Sequence, residues 1–467
     1  MSTFRVYQLG GLNLKVNPFL QKAGDLIRSV NLEDDVIYGK KKRPGYGTYL
    51  SSLGSPINSI FNWTQNNGTQ FWNYAASGGT LFYSQQGTGT WTVCGNGTFA
   101  AGSPVGNVDV RGTLMMIGDN SGTTRYTTNG TSFTLVAAAQ KSNQFALYQN
   151  RIYALGTASF DASNVGTFDD WTNDIISEPL PFGGGGNSLF KAADRVIMTS
   201  RTGEMARWDG YNLVDLATDL GPSSPYSVGN VEDYRFYLNR LGYFGFAGGK
   251  PELISNAIEK QVYNDKGSGI VGTTFDNAPG ICHRYDYLAA VGTVTDDLTD
   301  ETINRCIQRY NFQQDEWSNW EFADLPTAFG TYVDTAGDRQ LIFGDTTGQC
   351  YTYGGTNVSD NGVAISAVLE GVLNFGEPEL DKQFKYIKAF ANPGCEAQFQ
   401  VAISDTFTNA SKNWISLGDF HDGMAELRFP GGSEGNLLFW KVIESSVNAR
   451  FHLYGFSILY DLLDKRG

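Results

Sequence analysis

Short apolar runs alternate with polar turns along most of the chain. Residues 145–171 show the unit. Phe145, Leu147 and Tyr148 lead in, Gln149-Asn150-Arg151 turn, Ile152 to Leu155 return, Gly156 ends the run and Trp171 closes it. Alternation over a few residues, bounded by turn formers, predicts strands. Similar groups of strand-like runs start near residues 57, 107, 145, 189, 226, 280 and 328. The groups recur every ~45 residues, the pitch of a four-stranded propeller blade and too long for helical solenoids. An aromatic stands near the end of several units, at Trp91, Phe133, Trp171, Trp208 and Trp317. One blade cannot bury both its faces, so such units pack face to face around an axis. The last unit, over 328–353, is one strand short, and a strand from residues 1–50 is expected to complete it.

The grammar changes on either side of this region. Within residues 1–50, Leu12, Leu14 and Val16 alternate with polar residues and predict one strand, and 29–32 predict another. After Gly354-Gly355 the runs lengthen, at 365–373, 384–390, 397–404, 426–429, 437–445 and 451–459, with helical turns expected at 379–384 and 459–464. The fold class expected is all-β: a six- or seven-bladed β-propeller over 51–355, then a jelly-roll-like β-sandwich over 356–467, with 1–50 closing the propeller and contacting neighbours.

Composition agrees with many short strands: of 467 residues, 56 are Gly, 24 Tyr and 30 Phe. A formal net charge of −14 argues against a protein that grips phosphates and favours solubility. The five cysteines, Cys94, Cys282, Cys306, Cys350 and Cys395, are odd in number and form no C-x-x-C pair, which argues against a zinc ribbon or a disulfide framework. The first twenty residues have no apolar core of a signal peptide, and no apolar run is long enough to span a bilayer, so no membrane insertion is expected.

Candidate chemistry is sparse. Lys40, Lys41, Lys42 and Arg43 form the only dense basic cluster, read either as a solvated loop or as a contact with an acidic partner or with DNA. His283, His421 and His452 fall in no metal-binding frame, and no G-x-S-x-G elbow supports a triad. Asp296-Asp297 with Asp300-Glu301 could offer oxygens to calcium or form a solvated hairpin tip, as could Asp169-Asp170 and Asp34-Asp35. Gly183 to Gly186 lacks the Lys-Ser/Thr of a phosphate loop and reads as an inter-blade linker. No cofactor and no catalytic residue is expected.

Two resemblances add to this. The turn from Thr127 to Phe133 resembles the S-x-D-x-G-x-x-W hairpin of sialidase-type propellers. Enzymes of that type also need three converging arginines, for which Arg111, Arg151, Arg195, Arg201 and Arg235 are available. More broadly, Gly10-Gly11-Leu12-Asn13, Asn17-Pro18-Phe19-Leu20, Asn31-Leu32 and Arg43-Pro44-Gly45 resemble the opening of bacteriophage tail propeller proteins. The families are the nozzle, or tail tubular protein B-like, proteins and the packaged-DNA stabilisation proteins. Lys382 to Lys385 and Leu453 to Ile458 resemble a sandwich module of such virion proteins. The resemblance implies a non-enzymatic structural protein of the virion tail, assembled in the host cytoplasm. It implies a homo-oligomeric, commonly hexameric ring that docks on tail or adaptor proteins and forms or gates the channel through which genomic DNA passes. The alternative is a carbohydrate-binding or glycosidase-type propeller acting as a receptor-binding tail protein, with Trp63, Trp72, Trp171 or Trp320 stacking on sugars.

Overall fold

Alternation in the sequence becomes antiparallel pairing in the structure, a computed structural model. It describes residues 2–15, 21–35, 39–66, 68, 70–86, 89–262, 269–270, 275–295, 302–334, 336–375, 380–404, 412–420, 423–447 and 451–463. Tight turns set the register. Tyr148 pairs with Arg151 across Gln149-Asn150, and Ala192 with Arg195 across Ala193-Asp194. Both residues of each turn have positive φ, the twist that suits a two-residue hairpin.

Six self-contained four-stranded sheets form in this way, and a seventh four-strand unit, Gly280–His283 to Glu316–Glu321, continues into a larger sheet. The innermost strands run Ile57–Thr64, Gly106–Val110, Phe145–Tyr148, Gly186–Ala192, Gly229–Val231, Gly280–His283 and Ala328–Val333. Each touches the next around a ring, the fourth reaching the fifth through the turn Pro225–Ser227, and the last touches the first. The molecule is therefore all-β and carries a β-propeller. Hydrophobic clusters fill the junctions between units, as where Tyr153, Phe160, Met198 and Trp208 meet. The closing aromatics Phe133, Trp171, Trp208 and Trp317 are buried in such clusters, so their recurrence records packing.

Five strands precede the ring: β1 (Ser2–Val6), β2 (Leu26–Val30), β3 (Leu32–Asp34), β4 (Lys40–Lys42) and β5 (Tyr46–Tyr49). β5 is the fourth strand of the last unit, pairing with Cys350–Tyr353. β2 lies between that larger sheet's Glu316–Glu321, to which it is parallel, and Ala367–Leu373. β1 and β4 both pair with His452–Leu463. The C-terminal strands thus form two sheets, one continuous with the seventh four-strand unit, the other built on His452–Leu463 and Asp381–Ala391. Phe399 and Trp440 from the first and Ile387, Phe456 and Ile458 from the second meet in one hydrophobic cluster.

Several expectations need correction. Leu12 forms a single bridge to Leu26 and no strand, and Leu14 is buried outside any strand, while Val16 lies outside the described residues. The run expected at 29–32 is two strands, because Asn31 at φ 58° turns the chain between them. Where helical turns were expected at 459–464, the strand continues to Leu463 opposite Asp381. An edge strand, Ile415–Phe420, went unseen because Gly418 at φ 121° interrupts its alternation and its side chains are mostly exposed.

Candidate functional site

The basic cluster is neither a loop nor a surface patch. Lys40 to Lys42 form β4, and side-chain exposure is 3% for Lys40, 6% for Lys42 and 0% for Arg43. Burying a cation is costly unless it is paired and hydrogen-bonded, and each of these is. Lys40 binds Asp34 and lies 2.6 Å from Glu316 Oε2. Lys42 Nζ is 2.5 Å from Glu444. Arg43 makes a two-pronged contact with Asp360 at 2.8 and 2.6 Å, donates to Asn31 Oδ1 at 2.8 Å and to the Glu321 carbonyl at 2.7 Å, and stacks over Phe322. Lys40, Lys42 and Arg43 therefore cannot contact DNA or a partner as a free patch. Lys41 alone of the four is exposed, at 42%, with Glu33 3.9 Å away.

The network extends into the propeller. Arg309 bridges Asp34 and Asp286 at 2.8 Å each. Tyr353 donates to Glu33 at 2.7 Å, and Asp35 lies 3.1 Å from His452. Burial would raise the Asp34 carboxyl, but Lys40 and Arg309 hold it below the usual range. Burial dominates at Asp286, which is pushed up to about 6 against the pull of Arg309, and Glu316 is likewise raised. This is an ionic seam joining the N-terminal strands, the seventh four-strand unit and the C-terminal sheets. Sequence reading missed it because its carboxylates come from five separate stretches of chain.

The ring has cavities on two sets of loops. The chain segments entering the innermost strands surround a central mouth of about 570 Å³, lined by Asn58, Ser59, Asn107, Tyr226 and Phe329 among others, with no carboxylate or cation among the described residues. Beside it, on loops of the second to fourth units, lies a cleft of about 380 Å³ lined by Asn120, Gln140, Gln144, Asn187, Lys141 and Arg201. The tight turns after the innermost strands border a third cavity of about 760 Å³ with Arg111, Lys191 and Asp194, the last two 3.2 Å apart. The acidic excess of the chain is thus not concentrated in these cavities.

Other sequence candidates disperse. Trp63, Trp72, Trp171 and Trp320 are each at most 5% exposed, so none can stack on a sugar. Of the five arginines, Arg111 and Arg201 line different cavities, Arg151 pairs with Asp174, and Arg195 and Arg235 bond to nearby carbonyls. His283 is pushed down to about 4 by burial and by Arg284 and Arg339. His421 and the acidic group at 296–301 lie outside the described residues. Asp170 caps the turn after it by accepting from the Thr172 and Asn173 amides. Among the described residues, no three His, Cys, Asp or Glu side chains are grouped to hold a metal. No helix among them is long and apolar enough to cross a membrane.

The sialidase-like turn is structural here. Thr127 Oγ1 accepts from the Gly130 amide and Asn129 Oδ1 from the Thr131 and Ser132 amides, while the Gly130 carbonyl accepts from Tyr74 of the preceding blade. The turn after Trp208 does the same two positions on in the ring, with Asp209 Oδ1 accepting from Tyr211 and Asn212 and its carbonyl accepting from Tyr148. Both clasp one blade to its predecessor.

No family model and no curated protein matches the sequence. Solved structures with a similar fold include YCF48 from Cyanidioschyzon merolae, at 12% identity and TM-score 0.43 over 66% of this chain and 98% of that one. A chain of the mitotic checkpoint complex matches at 10% identity and TM-score 0.42, over 69% of this chain and 97% of its own. The WD40 domain of Neurospora crassa Pan2 matches at 9% and 0.41, over 70% and 98%. Each is a likeness of fold alone.

Proposed function

We propose that the chain is a structural, non-enzymatic protein of a bacteriophage tail, a nozzle- or hub-like subunit whose homo-oligomeric ring forms or gates the DNA exit channel. The observation that carries this reading is the path of residues 1–50. They supply a strand to the last blade, a strand between the seventh four-strand unit and the C-terminal sheet, and three strands to the other sheet. A propeller tied in this way cannot swing on a linker, which suits a subunit that transmits force between neighbours. Docking is assigned away from the buried cations. Ile415–Phe420 and Met424–Arg428 are the outermost strands of the two C-terminal sheets and touch each other, with Ile415 38% and Met424 58% exposed. Exposed apolar edges of this kind are what a neighbouring subunit covers.

Light scattering and negative-stain imaging of the purified protein test this. Rings, six-fold by expectation, should form, and Ile415→Asp with Met424→Asp should shift them toward monomers. A wild-type protein that stays monomeric at high concentration overturns the ring reading.

A second reading, carbohydrate binding, has its own support. The central mouth combines neutral amides and hydroxyls with the half-buried rings of Tyr226 and Phe329, a surface able to bond hydroxyls and cover the apolar face of a sugar.

A further inference from the structure

We propose that the loop face of the ring binds an acidic oligosaccharide that reaches across the central mouth and sets an acidic unit in the adjoining cleft. The inference rests on the carbohydrate reading and names its ligand class. Mouth and cleft are neighbours, their linings joined by a hydrogen bond. Asn143, which lines the cleft, donates from Nδ2 to Tyr226 Oη, which lines the mouth, at 3.1 Å. Arg201 is near enough to Tyr226 to pull its phenol down against the burial that raises it.

The cleft's chemistry is specific for a protein carrying net charge −14. Five carboxamides, Asn120, Gln140, Asn143, Gln144 and Asn187, line it, and no carboxylate does among the described residues. A carboxamide donates and accepts side by side, which matches adjacent sugar hydroxyls. Three of these groups are held by the backbone. Asn120 Oδ1 accepts from the Asn143 amide at 2.9 Å, Asn187 donates to the Pro222 carbonyl at 2.8 Å, and Gln144 Oε1 accepts from the Leu189 amide at 3.5 Å. Anchoring lowers the ordering cost of binding. Lys141 and Arg201 are the exposed cations of the cleft and match a carboxylate or sulfate. The cavity on the opposite turns offers Arg111 as a cation but also the Asp194 carboxylate, which pairs with Lys191 and would repel an acidic sugar.

A nucleic acid is the poorer fit. Phosphate chains are held by many cations along a track, and only two cations line this cleft.

Calorimetry on the full chain tests the proposal with a tetragalacturonate, a neutral cellotetraose and a single-stranded DNA octamer. The tetragalacturonate should bind, and Lys141→Gln with Arg201→Gln should raise its Kd by about tenfold or more, the scale of a lost charge-assisted bond. Both positions are exposed, and an unchanged thermal melt verifies folding. Wild-type protein that binds cellotetraose but not tetragalacturonate overturns the acidic ligand and spares the carbohydrate reading. Binding of neither sugar overturns both. An unchanged Kd in the double variant, or DNA bound as tightly as the acidic sugar, also overturns the proposal.

Discussion

Two kinds of junction hold this molecule together, and they work differently. Between blades the contacts are apolar and repetitive: Phe61, Tyr74, Met115 and Phe133 at one junction, Ala146, Tyr153, Phe160 and Trp208 two junctions on. Such surfaces are driven by area and carry little information about which blade should meet which. Where residues 1–50 cross the seventh four-strand unit and the C-terminal sheets, the contacts are buried ion pairs, Arg43 with Asp360, Lys40 with Glu316 and Arg309 with Asp34. A buried pair adds little net stability over an apolar one of the same volume, yet a mismatched register would strand its charges. The comparison suggests, as a hypothesis, that apolar junctions supply cohesion and the ionic seam fixes register.

The largest effect is expected at the seam. Asp360→Ala leaves the fully buried Arg43 guanidinium without its carboxylate and should cost about 3–5 kcal/mol in denaturant melts. A loss under about 1 kcal/mol would show that water reaches the pair and would dissolve the contrast. Trp208→Ala should cost a comparable ~3–5 kcal/mol by opening a cavity between blades and removing the bond from its Nε1 to Tyr153. The two losses differ in kind. Replacing Arg43 and Asp360 together by Met and Leu should recover most of the first, while no single change at a neighbour should recover the second.

Titration gives a smaller effect. The Asp286 carboxyl is raised to about 6 in the fold, so the folded state holds a proton that the unfolded chain has lost between about 4 and 6. Its contribution to stability therefore grows as pH falls through that window and is absent above it, on the order of 2–3 kcal/mol. Asp34, held low, acts in the opposite sense and loses its contribution only in stronger acid, below its unfolded value. Glu316 is raised in the same sense and His283 is depressed in the opposite one, so the readout is the difference between wild type and Asp286→Asn: the wild type should lose stability relative to the variant as pH rises from 4.5 to 8. A difference between the two that does not change with pH refutes the assignment. Lys41→Ala should change stability least, by no more than ~0.5 kcal/mol, because its pair with Glu33 is long and exposed.

Legibility in the sequence divides along the same line. Blades are local: Phe145–Tyr148 and Arg151–Leu155 pair across two residues, so periodicity and turn chemistry reveal them. The need for an extra strand was likewise visible from the short last unit, and β5 occupies that place. The seam is non-local. Arg43 and Asp360 are 317 residues apart, and nothing near Lys40-Lys41-Lys42-Arg43 marks three of the four as internal. A charge run reads as surface unless its partners are known. Lys40 and Lys42 flank Lys41 on β4, and their alternation was masked by all three being lysine. The loop-face cleft was illegible for a related reason, since Asn120, Gln144, Asn187 and Arg201 are brought together only by the curvature of the ring.

The pairing of β1 with His452–Leu463 has a consequence for synthesis. β1 cannot find its hydrogen-bonding partners, Phe456 to Tyr460, until that distant stretch of chain has been made. The blades pair mostly between neighbouring stretches and β3 pairs at once with β4, but β1 and the other edge of β4 wait for His452–Leu463. Long-range pairing of this sort is slow and exposes intermediates to aggregation. A chain halted before residue 452 would leave β1 without a partner strand and one edge of β4 open, so the sheet they share closes only once His452–Leu463 has been made.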